Sequence, residues 1–157
     1  MYRVVQDFIN DWDHASSGTL QVIEAITDEK LDQAIVEGHN TLGWLGWHLA
    51  NAPAFFGGEV GLSITPAGGP QDVPSSIDEI VAAYKNTSEQ VKQEVMKLTD
   101  EDLVETVESF GTQIPRGALL LKMIDHQTHH RGQMTVLLRQ AGLKVPGVMG
   151  PTKEQQA

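Results

Sequence analysis

Apolar residues recur at intervals of three and four in four stretches of the chain, the repeat that gives a helix one buried stripe. The first stretch covers about residues 2–26, with Val5, Phe8, Trp12, Ala15, Thr19, Val22 and Ile26 on one face. Gly18 weakens its middle by about 1 kcal/mol relative to alanine. The second begins after Asn40, a good N-cap, and sets Leu45, His48, Ala52 and Phe55 on one stripe. It is expected to kink at Pro53 and to stop at Gly57 and Gly58. The third opens with Ser76 and Glu79 as a capping box and turns Ile77, Val81, Tyr84, Ser88, Val91, Val95 and Leu98 inward. The fourth, about residues 115–141, carries Leu119, Met123, His126, His130, Gln133 and Leu137 on its stripe, with Gly142 as C-cap and Pro146 beyond.

Little of the chain reads as strand. A Gly- and Pro-rich loop over residues 61–74 separates the two halves and suits a crossover. The pattern predicts an all-α fold, a four-helix bundle with one long crossover between the second and third helices, in a single domain over residues 1–157.

Two hexapeptides support this layout. ITDEKL at residues 26–31 follows the first helix and LTDEDL at 98–103 follows the third, and each precedes a histidine-bearing helix. They mark either an internal duplication or two independent uses of threonine before acidic residues as an N-cap.

A chain of 157 residues can bury about 70% of the surface its unfolded form exposes, so a metal is not required for folding. There is no cysteine, which excludes disulfides, thiolate nucleophiles and cysteine-ligated metals. Eleven Lys and Arg against 21 Asp and Glu leave a net charge of -10. Repulsion from phosphate then argues against nucleic acid or an anionic membrane as partner. The N-terminal residues show no basic segment followed by a long apolar run, so a cytoplasmic location is expected.

Candidate chemistry centres on DHQTHHRGQ, residues 125–133. Residues four apart in a helix lie on one face, roughly 6 Å apart along the axis, so His126 and His130 can converge on one ion. Both are expected to point inward. If the two halves are related, His48 faces them across the bundle. A lone histidine on an apolar stripe is more often a satisfied core residue, and the pair could instead donate to backbone carbonyls. Two adjacent imidazoles both need partners, however, and one cation serves both. Three histidines match a catalytic zinc site with one open position, and neutral imidazole also suits nickel, iron and copper.

The other candidates have simpler expected roles. His129 lies about 60° around the helix from His126 and suits a supporting or interface position, while His14 and His39 are expected to be solvated. Asp125 points about 100° away from its neighbouring histidine. No Asp or Glu shares the inward seams with the histidines, which favours an activated ligand over a positioned general base. Ser16, Thr19 and Ser88 either leave room for substrate or are packing choices. Arg131 and Gln133 are expected to form a salt bridge and an interhelical hydrogen bond. Trp44, Trp47, Phe55 and Phe56 line a pocket mouth or a dimer face, with core packing for at least two of them.

GWLGWHLANA around His48, DHQTHHRGQMTVLLRQAGLKVPG from Asp125 and the helical layout between them resemble the DinB-like metal-binding proteins over nearly the whole chain. The resemblance implies an up-down-down-up bundle, often a homodimer, with a divalent ion held by His48, His126 and His130. Zinc or nickel would be the leading ions and iron a third. Relatives in the wider superfamily include transferases and isomerases that use thiols such as bacillithiol or mycothiol. The second domain of the mycothiol-dependent isomerases is not expected here, so neither that reaction nor a particular thiol carries over. By this resemblance the chain is expected to be a small metalloenzyme acting on a small molecule. Its leading class is thiol-dependent S-transfer and its second is metal-dependent hydrolysis. A non-enzymatic metal-binding module and a helical interaction protein are the alternatives.

Overall fold

Helix ends follow capping chemistry more closely than hydrophobic period. In the computed structural model, which describes residues 1–156, α1 spans Val5–Glu24, α2 spans Leu42–Val60 and α3 spans Ile77–Val95. A short α4, Asp100–Val104, and an antiparallel hairpin of β1 (Thr106–Ser109) and β2 (Thr112–Pro115) lead into α5, Arg116–Gln140. The chain is thus mainly helical with a small two-stranded sheet, which corrects the all-α expectation. The hairpin loop is Phe110-Gly111, both at positive φ (51° and 74°), as a two-residue type I′ turn requires.

Several ends differ from the sequence pattern. Thr41, not Asn40, caps α2, its hydroxyl accepting from Trp44 N at 3.1 Å. Gly57 and Gly58 do not stop that helix. It runs past Pro53 to Val60, and the left-handed residue is Gly61 at φ 90°. Gly142, at φ 75°, closes α5 in a Schellman arrangement: Gly142 N donates to Arg139 O and Leu143 N to Leu138 O. Ser76 makes no side-chain cap to α3.

The first amide of α3 instead donates to the Asp28 carboxylate at 2.7 Å, and the first amide of α1 donates to Asp100 at 2.8 Å. These aspartates occupy the same place in ITDEKL and LTDEDL. The correspondence continues at the starts of α2 and α5. Leu42 N donates to Gln33 O and Arg116 N to Glu105 O, two residues beyond the equivalent Leu31 and Leu103. The two halves thus exchange matched caps, a correspondence that related halves account for and that an isolated N-cap preference does not require.

Facing residues show how the helices run. Tyr2 meets Gly117, and Ala15 meets Arg131, so early α1 faces early α5. Trp12 Nε1 donates to Ser88 O, while Lys85 pairs with Glu24. Gly46 packs on Ile80, and Ser63 N donates to Glu94.

The buried apolar residues form two lobes. One gathers Val22, Ile23, Leu42, Leu45, Leu49, Ile80, Met134 and Leu138; the other gathers Phe8, Trp12, Val91, Val95, Leu119, Leu120 and Met123. Buried polar side chains, Thr19, Thr87, Gln127 and Arg131, fall between them in sequence on α1, α3 and α5. Tyr84 OH donates to Gln127 Oε1 at 2.9 Å at this level. Among the described residues no helix is long and apolar enough to cross a membrane.

Candidate metal centre

His48 comes from the middle of α2, and His126 and His130 come from consecutive turns of α5. All three are half-buried. The deepest face of α5 is instead Leu120, Met123, Gln127, Arg131, Met134 and Leu138. The histidine stripe lies beside it, facing α2 and reachable from solvent.

The nitrogens converge. His126 Nε2 lies 3.1 Å from His48 Nε2 and 3.2 Å from His130 Nε2. An imidazole nitrogen offers one in-plane position, either an N–H or a lone pair. One such position serves two hydrogen bonds only as a weaker three-centre contact, whereas a cation at the common point accepts all three lone pairs. Tetrahedral ligands at about 2.0–2.1 Å from an ion are separated by about 3.3 Å, close to the spacing found. The three histidines therefore form a group that could hold a metal ion.

Neighbours orient two of the rings. The His130 Nδ1–H donates to Gln133 Oε1 at 2.7 Å, which directs the Nε2 lone pair to the shared point. Gln133 Nε2 in turn donates to His129 Nε2 at 3.2 Å. Gln133 thus acts within its own helix, one turn on from His130, rather than between helices as the sequence suggested. Trp44 stacks on His48 at 4.7 Å with planes 8° apart, again one turn away. These i+3 and i+4 spacings were the signals available for both roles. His126 departs from the pattern, because its buried Nδ1 has no partner among the described residues.

The remaining candidates separate clearly. His129 is exposed beside His130, and His14, His39 and Asp125 are exposed away from the triad. Trp47 is core, its Nε1 donating to Gly69 O, whereas Phe56 packs against His126 at 5.2 Å and Phe55 is 55% exposed. Ser16 and Ser88 border a cleft between α1 and α3, not the triad, and the Thr19 hydroxyl donates to Ala15 O. Arg131 has no acidic partner among the described residues, contrary to the expected salt bridge.

Burial, reinforced by the neighbouring imidazoles, lowers His126 from 6.5 to about 4, and burial also lowers His48 and His130. All three are therefore neutral and able to ligate near pH 7. In metal-free protein, unfolded imidazoles bind protons that the folded ones refuse. The stability these groups contribute is complete above about pH 6.5 and is lost as pH falls towards 4. Urea midpoints of chelator-treated protein should fall between pH 7 and 5, and less so in His126→Ala. Identical slopes in the two proteins would show that the ring is not held neutral.

The family model described as the DinB family matches residues 1–157. Uncharacterized protein YrdA of Bacillus subtilis (strain 168) is 37% identical over 158 residues, covering 100% of this chain and 95% of its own. The crystal structure of a DinB-like protein from Bacillus cereus ATCC 10987 matches with a TM-score of 0.85 at 37% identity, over 94% of this chain and 99% of that one. A DinB-like protein of Bacillus subtilis, YjoA, shares the fold at a TM-score of 0.73 and 19% identity, over 93% and 99% of the two chains.

Proposed function

The chain belongs to the DinB family, and on that footing we propose that it is a divalent-metal-dependent enzyme whose ion is held by His48, His126 and His130. The observation that carries this proposal is the pair of contacts, 3.1 and 3.2 Å, made by the single Nε2 of His126. Zinc or nickel fits three neutral imidazoles best, with iron third. When bound, such an ion supplies Lewis acidity towards a thiol or a water at its open position. The protein's part is to orient the ligands, through Trp44 on His48 and Gln133 on His130, and to shape the approach. An apolar cleft of about 320 Å³, lined by Ile35, Leu45, Gln133, Val136 and Leu137, adjoins the triad through Gln133. A larger cleft of about 780 Å³ adjoins the triad through Trp44, which stacks on His48; none of the three ligating histidines lines either cleft, and we place substrate in the smaller, more apolar one.

The leading reaction is transfer of a low-molecular-weight thiol to an electrophile. No Asp or Glu joins the histidine group among the described residues, so nothing acidic stands ready to activate water as a general base. Metal-dependent hydrolysis is the second possibility, favoured by His129, whose exposed ring lies 4.9 Å from His130. The facing residues described above support an up-down-down-up four-helix bundle. We further propose a cytoplasmic homodimer.

Elemental analysis of protein purified without added metal comes first, followed by thiol consumption with electrophiles and ester turnover. Activity of the loaded protein that vanishes in His48→Ala supports an enzyme. Stoichiometric metal with no turnover over a broad panel would leave a metal-binding module instead. Gln133→Leu, which frees the His130 ring, should weaken metal affinity by about 10- to 100-fold as measured by competition with a chromogenic chelator. Unchanged affinity would remove Gln133 from the site.

A further inference from the structure

Arg131 takes no part in the metal centre. It follows His130 directly but points about 100° around α5, and it is only 6% exposed. Its Nη1 donates to Ala15 O at 3.0 Å and to Thr19 Oγ1 at 3.4 Å, both neutral oxygens. A chain with 21 Asp and Glu places none of them, among the described residues, within 4.0 Å of this guanidinium. A guanidinium has five N–H donors and stays charged at ordinary pH. Burying such a charge without a counter-ion costs several kcal/mol.

The same side chain lines a cleft of about 400 Å³ between α5 and residues 145–152. Thr128, Gly132 and Thr135 line it from α5, on the flank opposite His126 and His130. A methyl group added at Gly132 would meet nothing within 4 Å, so the space beside it is open. Arg139, also lining the cleft, is already paired with Glu154 through Nε at 2.7 Å. The unmatched positive charge is that of Arg131.

We propose that this cleft binds a small oxyanion, the carboxylate of a small acid or a phosphate, with Arg131 as its counter-charge. The site is separate from the metal centre and does not depend on the function proposed for it. An oxyanion supplies what the fold withholds from Arg131, a full negative charge with two acceptor oxygens matching the guanidinium fork. The exposed Thr128, whose hydroxyl has no partner among the described residues, offers a further donor at the rim.

The test titrates full-length, metal-loaded protein with acetate and, separately, with inorganic phosphate at constant ionic strength, with chloride as the reference anion. The Arg131 Nε–Hε resonance and the heat of binding are followed. A saturable shift with acetate alone assigns a carboxylate, and one with phosphate alone assigns a phosphate. Arg131→Gln should weaken binding at least tenfold. Because that change can also loosen the fold, Gly132→Leu provides an independent arm: it fills the cleft, leaves Arg131 in place and should cause the same loss with metal affinity unchanged. Titrations no different from chloride, or binding retained in Gly132→Leu, would overturn the proposal.

Discussion

His126→Ala is expected to abolish divalent-metal binding while leaving the metal-free fold close to its original stability. Its Nε2 is the one within 3.2 Å of both other ligand atoms, so without it His48 and His130 lose the atom that joins them. The loss of affinity should exceed the roughly 100-fold that removal of an outer hydrogen-bond partner can cost. In the unaltered protein, metal at a thousandfold excess over its Kd adds about 4 kcal/mol to stability, and the variant should gain none of it. Without metal the balance differs. Alanine removes a buried Nδ1 that has no partner, a liability of about 1–3 kcal/mol, and this offsets the lost packing against Phe56. Calorimetric titration and melting curves with and without metal separate the two effects. Affinity equal to that of the unaltered protein would end the case for this metal centre.

Gly117→Ala should destabilise the protein by about 3 kcal/mol, in the range for a substitution that forces buried backbone apart. Gly117 is the second residue of α5 and is buried. A Cβ there would collide with the carbonyl oxygen of Tyr2 and stand 3.2 Å from that of Leu103. Both obstacles are backbone, so no rotamer relieves the contact, and the bond from Tyr2 N to Gly117 O at 3.0 Å would be strained as well. The helix propensity gained by alanine, up to about 1 kcal/mol, is too small to compensate. Gly132→Ala is the control, since its methyl enters open space and should stabilise by up to that amount. Urea denaturation of both variants measures the difference, and equal stability would mean that the Tyr2 backbone does not clamp α5.

The helices and the His126–His130 pair were legible because both depend on spacing alone, whereas His48 was placed by the relation between the two halves and by the family resemblance. An apolar repeat of three and four marks a helix, and His126 with His130 occupies one face of it whatever surrounds them. The depth of that face was not legible. The apolar stripe ran through His126 and His130, yet Gln127 and Arg131 lie on the buried side of α5 and the histidines lie beside them. Ala15 O and the Thr19 hydroxyl accept from Arg131, and Tyr84 donates to Gln127 Oε1; these are tertiary partners with no sequence mark. The hairpin was hidden for a different reason. Its strands are four residues long, and Phe110 at φ 51° is not the Asn or Asp that usually announces a type I′ turn. The cap on α3 belongs to Asp28, far away in sequence, so a nearby Ser76-Glu79 pair was a false signal.

The reciprocal caps of Asp28 and Asp100 leave each half of the molecule unfinished without the other. A cut within residues 61–74 would yield two fragments, each carrying the carboxylate that closes its counterpart's first helix. Such fragments should reassemble when mixed. His48 would arrive on one and His126 with His130 on the other, so a metal ion would rivet the seam and a chelator would loosen it.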